Sequence, residues 1–120
     1  MTKILHYAGL GALVVLGTAA MYHNHLVKSS PMAGESLTTS PAEIRLWFSE
    51  RPEIPFTSVT LLTADSTKIA TIKAIKTADS MAVAAPLPNP LKAGTYLVTW
   101  RTAGSDGHAI RGTYRFTIAP

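Results

Sequence analysis

The chain has 120 residues, a formal net charge of +4 and no cysteine. This length gives room for one domain, and the lack of cysteine excludes disulfides, zinc ribbons, iron–sulfur clusters and thiolate catalysis. The 11 lysines and arginines are scattered singly, which predicts a solvated surface and no nucleic-acid partner.

The N-terminal region has the pattern of a secretory signal. After a short start that carries Lys3, residues 7–20 are uncharged and largely apolar. This run suits the hydrophobic region of a signal peptide and is short for a membrane span, which needs about 20 residues. Small residues at 18–20 predict cleavage after Ala20. We therefore interpret residues 1–22 as a signal peptide or, alternatively, as an uncleaved anchor, and residues 23–120 as one exported domain.

Beyond residue 25 the apolar residues recur with a period of two, which is typical of half-buried β-strands. The alternation is clear in residues 44–49, 59–62, 96–101 and 113–118, and weaker in residues 26–29, 68–75 and 81–84. Stretches rich in proline and glycine separate these runs, and no segment of useful length has a helical period. The pattern predicts an all-β fold of about seven antiparallel strands, either an immunoglobulin-like sandwich or a small barrel.

Two histidine clusters lie far apart in the sequence. His23 and His25 follow the leader, and Asp106-Gly107-His108 precedes the last predicted strand. Because the first and last strands of such sandwiches are often close, the clusters could meet at one end of the fold. Two imidazoles and a carboxylate are the mixture of nitrogen and oxygen ligands that Cu(II) favours. Spacing alone leaves a second interpretation open, in which Asp-Gly forms a turn beside a solvent-exposed histidine.

Five segments carry a resemblance to a known family: HNHLVKSSP at 23–31, PAEIRLWFSE at 41–50, AGTYLVTWR at 93–101, SDGH at 105–108 and GTYRF at 112–116. In this order they resemble the CopC/PcoC (YobA-like) family of periplasmic copper-resistance proteins, over nearly the whole chain after the leader. The resemblance implies a Greek-key β-sandwich of immunoglobulin-like or cupredoxin-like type that binds copper. It also implies that the copper is held for, or passed to, an inner-membrane partner of the CopD type.

Matched by position, the resemblance implies Cu(II) ligands at His23, Asp106 and His108. Glu50 and His25 are weaker candidates, since Glu50 could be a solvated turn carboxylate and His25 could be a surface residue or an outer partner of the site.

The N-terminal ligand has two alternatives. In the family the first histidine is the mature N-terminus, so that its amine and imidazole bind copper together as a histidine brace. Here Tyr22 precedes His23, where a signal peptidase requires a small residue. Cleavage after Ala20 would leave Met21-Tyr22-His23 instead, which can chelate Cu(II) through its amine, two backbone nitrogens and the imidazole.

The body of the chain contains only Met32 and Met81, without the methionine cluster that suits Cu(I). We therefore predict a Cu(II)-only, non-enzymatic, monomeric copper-binding protein of the periplasm without a small-molecule substrate. Two alternatives stay open: an exported immunoglobulin-like structural or interaction module without a functional metal site, and a histidine-brace oxidative enzyme. Arg101 is either the partner of a carboxylate near the site or an edge charge that discourages aggregation.

Overall fold

The computed structural model describes residues 24–120. The predictions made for the leader and for His23 therefore lie outside the described residues. The elements in chain order are β1 (Leu26–Ser30), β2 (Ser36–Leu37), β3 (Glu43–Phe48), a 3-10 turn (Ile54–Phe56), β4 (Ser58–Thr63), β5 (Lys68–Lys73), β6 (Ile75–Lys76), β7 (Ala82–Pro86), β8 (Gly94–Ala103) and β9 (Ala109–Ile118). Within this part of the chain no helix has the length and apolar character needed to cross a membrane.

The strands form two sheets, with the orders β1-β3-β7-β6 and β2-β9-β8-β4-β5. All pairings are antiparallel except the short one between β2 and β9. The inward side chains of both sheets make one core, whose fully buried members include Ile44, Leu46, Leu61, Val98 and Phe116. The predicted all-β sandwich is therefore confirmed.

The predicted strand runs are all present. Residues 24–120 contain nine strands where about seven were predicted, because one run divides between the sheets and because β2 was not predicted. The run at 68–75 becomes β5 in the five-stranded sheet and β6 in the four-stranded sheet. The change takes place at Ala74, which is buried and donates its N–H to the Thr57 carbonyl oxygen at 3.1 Å. Strand β2 has no period-two signal, since it consists of two residues paired along the edge of β9.

The β8–β9 hairpin determines where the predicted Asp-Gly-His motif lies. The two ten-residue strands pair from Gly94 opposite Ile118 to Ala103 opposite Ala109, so residues 104–108 form the loop at one end of the sandwich. Trp100 of β8 makes an edge-to-face contact with Phe48 of β3, with ring centroids 5.4 Å apart. This contact between the two sheets fixes the hairpin against the chain segment that leads to Glu50.

Candidate metal centre

The first described residues are fixed against the segment that follows β3. The Asn24 side-chain oxygen accepts hydrogen bonds from the Ser49 hydroxyl at 3.3 Å and from the Glu50 backbone N–H at 3.0 Å. The His25 backbone N–H donates to the Ser49 hydroxyl, and the Ser49 N–H donates to the His25 carbonyl oxygen, both at 2.9 Å. These bonds hold the residue that follows His23 directly beside Glu50.

Glu50 and the hairpin loop approach each other at this same end of the sandwich. A Cβ atom placed on Gly104 would lie 3.5 Å from Glu50 Oε2 and 3.6 Å from Asp106 Oδ1. Both carboxylates therefore border one glycine, although Glu50 follows a strand of one sheet and Asp106 belongs to the hairpin of the other. The two carboxylates therefore supply oxygen atoms, which are suitable metal ligands, at one exposed end of the fold.

The Asp106-Gly107-His108 segment is a closed turn. Asp106 accepts a hydrogen bond from the His108 backbone N–H at 3.0 Å on Oδ1, and its Oδ2 lies 3.0 Å from His108 Nδ1. Gly107 has a φ of +81°, a conformation that glycine adopts without steric cost. The bend brings the Asp106 carboxylate and the His108 ring together in an exposed loop.

The pairing of Asp106 with His108 sets the chemistry of the imidazole. The hydrogen bond and the negative charge of Asp106 raise the pKa of His108, and the hydrogen bonds from His108 lower the pKa of Asp106. Because Nδ1 faces the carboxylate, Nε2 is the ring nitrogen presented to a ligand. A carboxylate that orients a histidine in this way is a common outer partner of metal-bound imidazoles.

The structure thus brings together some of the predicted site residues. Glu50, Asp106 and His108 lie at one end of the sandwich with Asn24, while His23 is outside the described residues and His25 contributes its backbone to the Ser49 contacts. Among residues 24–120, no three histidine, aspartate or glutamate side chains are grouped so that they could hold a metal ion.

Sequence reasoning did not find the roles of Asn24 and Ser49. The Asn24 Nδ2 group is buried and has no hydrogen-bond partner in the described part of the chain, whereas its oxygen makes both bonds to residues 49 and 50. No sequence signal connects these residues, because they are about 25 positions apart and both amino acids are common in turns.

Both expectations for Arg101 are wrong. Arg101 lies on β8, an interior strand that pairs with β4 on one side and β9 on the other, so it is not an edge charge. Within residues 24–120 it also makes no ion pair with any carboxylate.

Comparison with known proteins shows the family to which the chain belongs. The family model of the CopC domain matches residues 26–119. The chain is 36% identical over 125 aligned positions to copper resistance protein C of Escherichia coli, an alignment that covers 97% of this chain and 98% of that protein.

Two solved structures have the same fold. CopC from Methylosinus trichosporium OB3b superposes with a TM-score of 0.75 at 31% identity, over 82% of this chain and 95% of that one. PcoC, a methionine-rich copper resistance protein from Escherichia coli, superposes with a TM-score of 0.70 at 34% identity, over 80% and 98% of the two chains. The chain therefore belongs to the CopC domain family of copper resistance proteins.

Proposed function

We propose that this protein is exported to the periplasm and binds one Cu(II) ion at the end of the sandwich where Asn24, Glu50 and the 104–108 loop meet. The observation that carries the proposal is the fixing of Asn24 against Glu50, beside the loop that presents His108. The protein acts without catalysis, in copper resistance through sequestration or through delivery to an inner-membrane partner of the CopD type.

The ligand set that we propose is His23, His108 and Asp106. His23 directly precedes Asn24 in the sequence, and Asn24 is hydrogen-bonded to the Glu50 backbone. His108 would supply Nε2, because its Nδ1 faces Asp106. Asp106 would bind the metal directly or orient the imidazole, and His25 and Glu50 remain weaker candidates.

The N-terminal ligand group is either the amine and imidazole of His23 or the Met21-Tyr22-His23 tripeptide. The two alternatives require different mature N-termini, which N-terminal sequencing of the exported protein distinguishes. Protein that retains Met1 would exclude both alternatives and support an anchor formed by residues 1–22.

We propose Cu(II) rather than Cu(I) as the bound ion. Met32 and Met81 are the only methionines among residues 24–120, and they lie in different connections, before β2 and before β7. Two separate thioethers do not make the soft ligand set that Cu(I) prefers. A tight, stoichiometric Cu(I) complex in a competition titration would contradict this assignment.

The central experiment is a Cu(II) titration of the exported protein followed by electron paramagnetic resonance. We expect one tetragonal site that His108→Ala abolishes or alters. His25→Ala tests the weaker histidine candidate, and we expect it to leave the spectrum unchanged. Asp106→Asn separates the two roles of the carboxylate. A spectrum that shows a changed set of copper ligands indicates direct binding by Asp106. Weaker copper binding with a similar spectrum indicates that Asp106 orients His108. A spectrum unaffected by His108→Ala would refute the proposed ligand set, because copper would then be held by the N-terminal residues alone.

A further inference from the structure

A row of cationic side chains crosses the outer face of the five-stranded sheet. Arg101 is directly opposite Arg111 in the β8–β9 pair, Ser58 of β4 is opposite Arg101, and Lys73 of β5 is opposite Ser58. Residues that are directly opposite in antiparallel strands project to the same face, and the neighbouring inward residue Val59 is buried. We name Lys73, Arg101 and Arg111 the basic row.

The charges of the basic row are not compensated within the described structure. None of the three side chains makes an ion pair with a carboxylate of residues 24–120. Like charges directly opposite on neighbouring strands are destabilising, so repulsion between Arg101 and Arg111 lowers the stability of the hairpin. An anionic ligand that binds both guanidinium groups would relieve this repulsion.

The surroundings of the arginine pair offer hydrogen-bond donors that suit a carboxylate. A cleft of about 270 Å³ lies at the pair and is lined by Ser58, Thr60, Thr99, Trp100, Arg101 and Arg111. The guanidinium groups offer planar pairs of N–H donors that match a carboxylate. The hydroxyl groups of Thr60 and Thr99 add polar atoms, and each is already held by a cross-strand partner, Thr71 at 3.2 Å and Thr113 at 3.1 Å.

We propose that the basic row is the docking surface for an extended acidic segment of a protein partner. From Lys73 to Arg111 the row crosses three strand spacings of about 4.8 Å each, or about 14 Å in total. A single small oxyanion is too short to contact the whole row. Alternate side chains of an extended peptide are about 7 Å apart on one face, so three carboxylates at alternate positions of a peptide match its length.

A lipid surface fits this face less well than a peptide. Proteins that bind at membrane surfaces combine cations with an apolar face that enters the lipid. Of the five large apolar side chains that are exposed in residues 24–120, only Ile69 belongs to a strand of this sheet. The other four lie on β1, on β6 or in connections.

The basic row lies next to the proposed copper loop. The Arg101–Arg111 pair is two residue positions from the Ala103–Ala109 pair that closes the hairpin, which is about 7 Å along the strands. A partner docked on the row would therefore lie beside residues 104–108. The docking surface does not depend on copper, whereas its use in copper transfer rests on the proposed function.

The test is a titration of the copper-free protein into a fluorescein-labelled peptide of three Glu-Thr repeats, read by fluorescence anisotropy at about 0.15 M ionic strength, where exposed charges more than about 8 Å apart are largely screened. We expect Arg101→Gln combined with Arg111→Gln to weaken binding by about tenfold or more, the size of one lost charge-assisted contact. The matched control, Lys68→Gln combined with Lys92→Gln, makes the same change in net charge away from the row, and we expect it to change binding by less than about twofold. Equal losses in the two double variants, or no loss in either, would overturn the proposal.

Further measurements exclude the other anionic ligands and a folding artefact. Two outcomes would overturn the assignment to a peptide. One is displacement of the peptide by inorganic phosphate at millimolar concentration. The other is binding of phosphatidylglycerol vesicles more tightly than the peptide and through the same arginines. Arg101→Lys combined with Arg111→Lys keeps the charge and removes the planar donor pairs, so we expect intermediate peptide binding. Circular dichroism verifies the fold of each variant. His108→Ala leaves peptide binding unchanged, so loss of the copper site and loss of the docking surface are separate outcomes.

Discussion

Gly112 lies opposite Trp100 in the hairpin, and the space there is too small for a methyl group. A Cβ atom on Gly112 would be 2.5 Å from Trp100 Cζ2 and 2.7 Å from Cε2, whereas carbon atoms in contact are about 3.5–4.0 Å apart. In the Gly112→Ala variant, the Trp100 indole must therefore move away by about 1 Å. It is 93% buried, with 7% exposed, and its edge-to-face contact with Phe48 opposes this movement.

The expected cost of Gly112→Ala follows from two opposing effects. Overpacking a filled core costs about 1–3 kcal/mol, and replacing a strand glycine with alanine returns about 0.5–1 kcal/mol. Because an approach of 2.5 Å is far inside contact distance, the upper part of the overpacking range, about 2–3 kcal/mol, applies. We therefore expect the free energy of unfolding to fall by about 1–2.5 kcal/mol and Tm by about 4–20 °C. Urea unfolding followed by tryptophan fluorescence measures the loss.

The same substitution in a Trp100→Phe background is the control for this explanation. A smaller ring leaves room for the methyl group, so the cost of Gly112→Ala should shrink there, and the difference between the backgrounds is the coupling free energy. An equal cost in both backgrounds, or no cost in the native background, would refute the steric explanation.

Four further predictions concern charge and burial. In the copper-free protein, nuclear magnetic resonance should give His108 a pKa above 6.5 that falls in Asp106→Asn, because Asp106 raises it; an unchanged pKa would contradict the pairing. Folding raises the pKa of His108 from 6.5 and lowers the pKa of Asp106 from 3.8. Their pair therefore stabilises the fold fully between pH 3.8 and pH 6.5. This stabilisation is lost as the pH rises through the folded pKa of His108, and as the pH falls through the folded pKa of Asp106. Burial raises the pKa of Tyr114 to about 12 from 10.0. The free energy of unfolding should therefore fall by about 2 kcal/mol as the pH rises from about 10 to 12, allowing for the partial exposure of the side chain. Denaturant titrations measure this fall, and the same fall in Tyr114→Phe would exclude this cause. Arg111→Gln should raise the free energy of unfolding by about 0.2–1 kcal/mol, because it removes the repulsion from Arg101; destabilisation in urea would show that the pair does not repel.

The sequence was sufficient for the class of fold and for most strands. Alternation of side chains between two faces is a local property of a strand, so the runs around Leu46, Val98 and Phe116 can be recognised without knowing their partners. The Asp-Gly-His turn is likewise local, since a bend at Gly107 and the contact between Asp106 and His108 involve only three consecutive residues.

The tertiary structure decided which distant segments meet, because strand order and register depend on pairings that no local period encodes. The change of sheet at Ala74, the fixing of Asn24 against Glu50, and the approach of Glu50 to the Asp106 loop all join residues from different parts of the chain. The basic row is the clearest example. Its three cations appear scattered in the sequence, and only the registers of four neighbouring strands place them side by side.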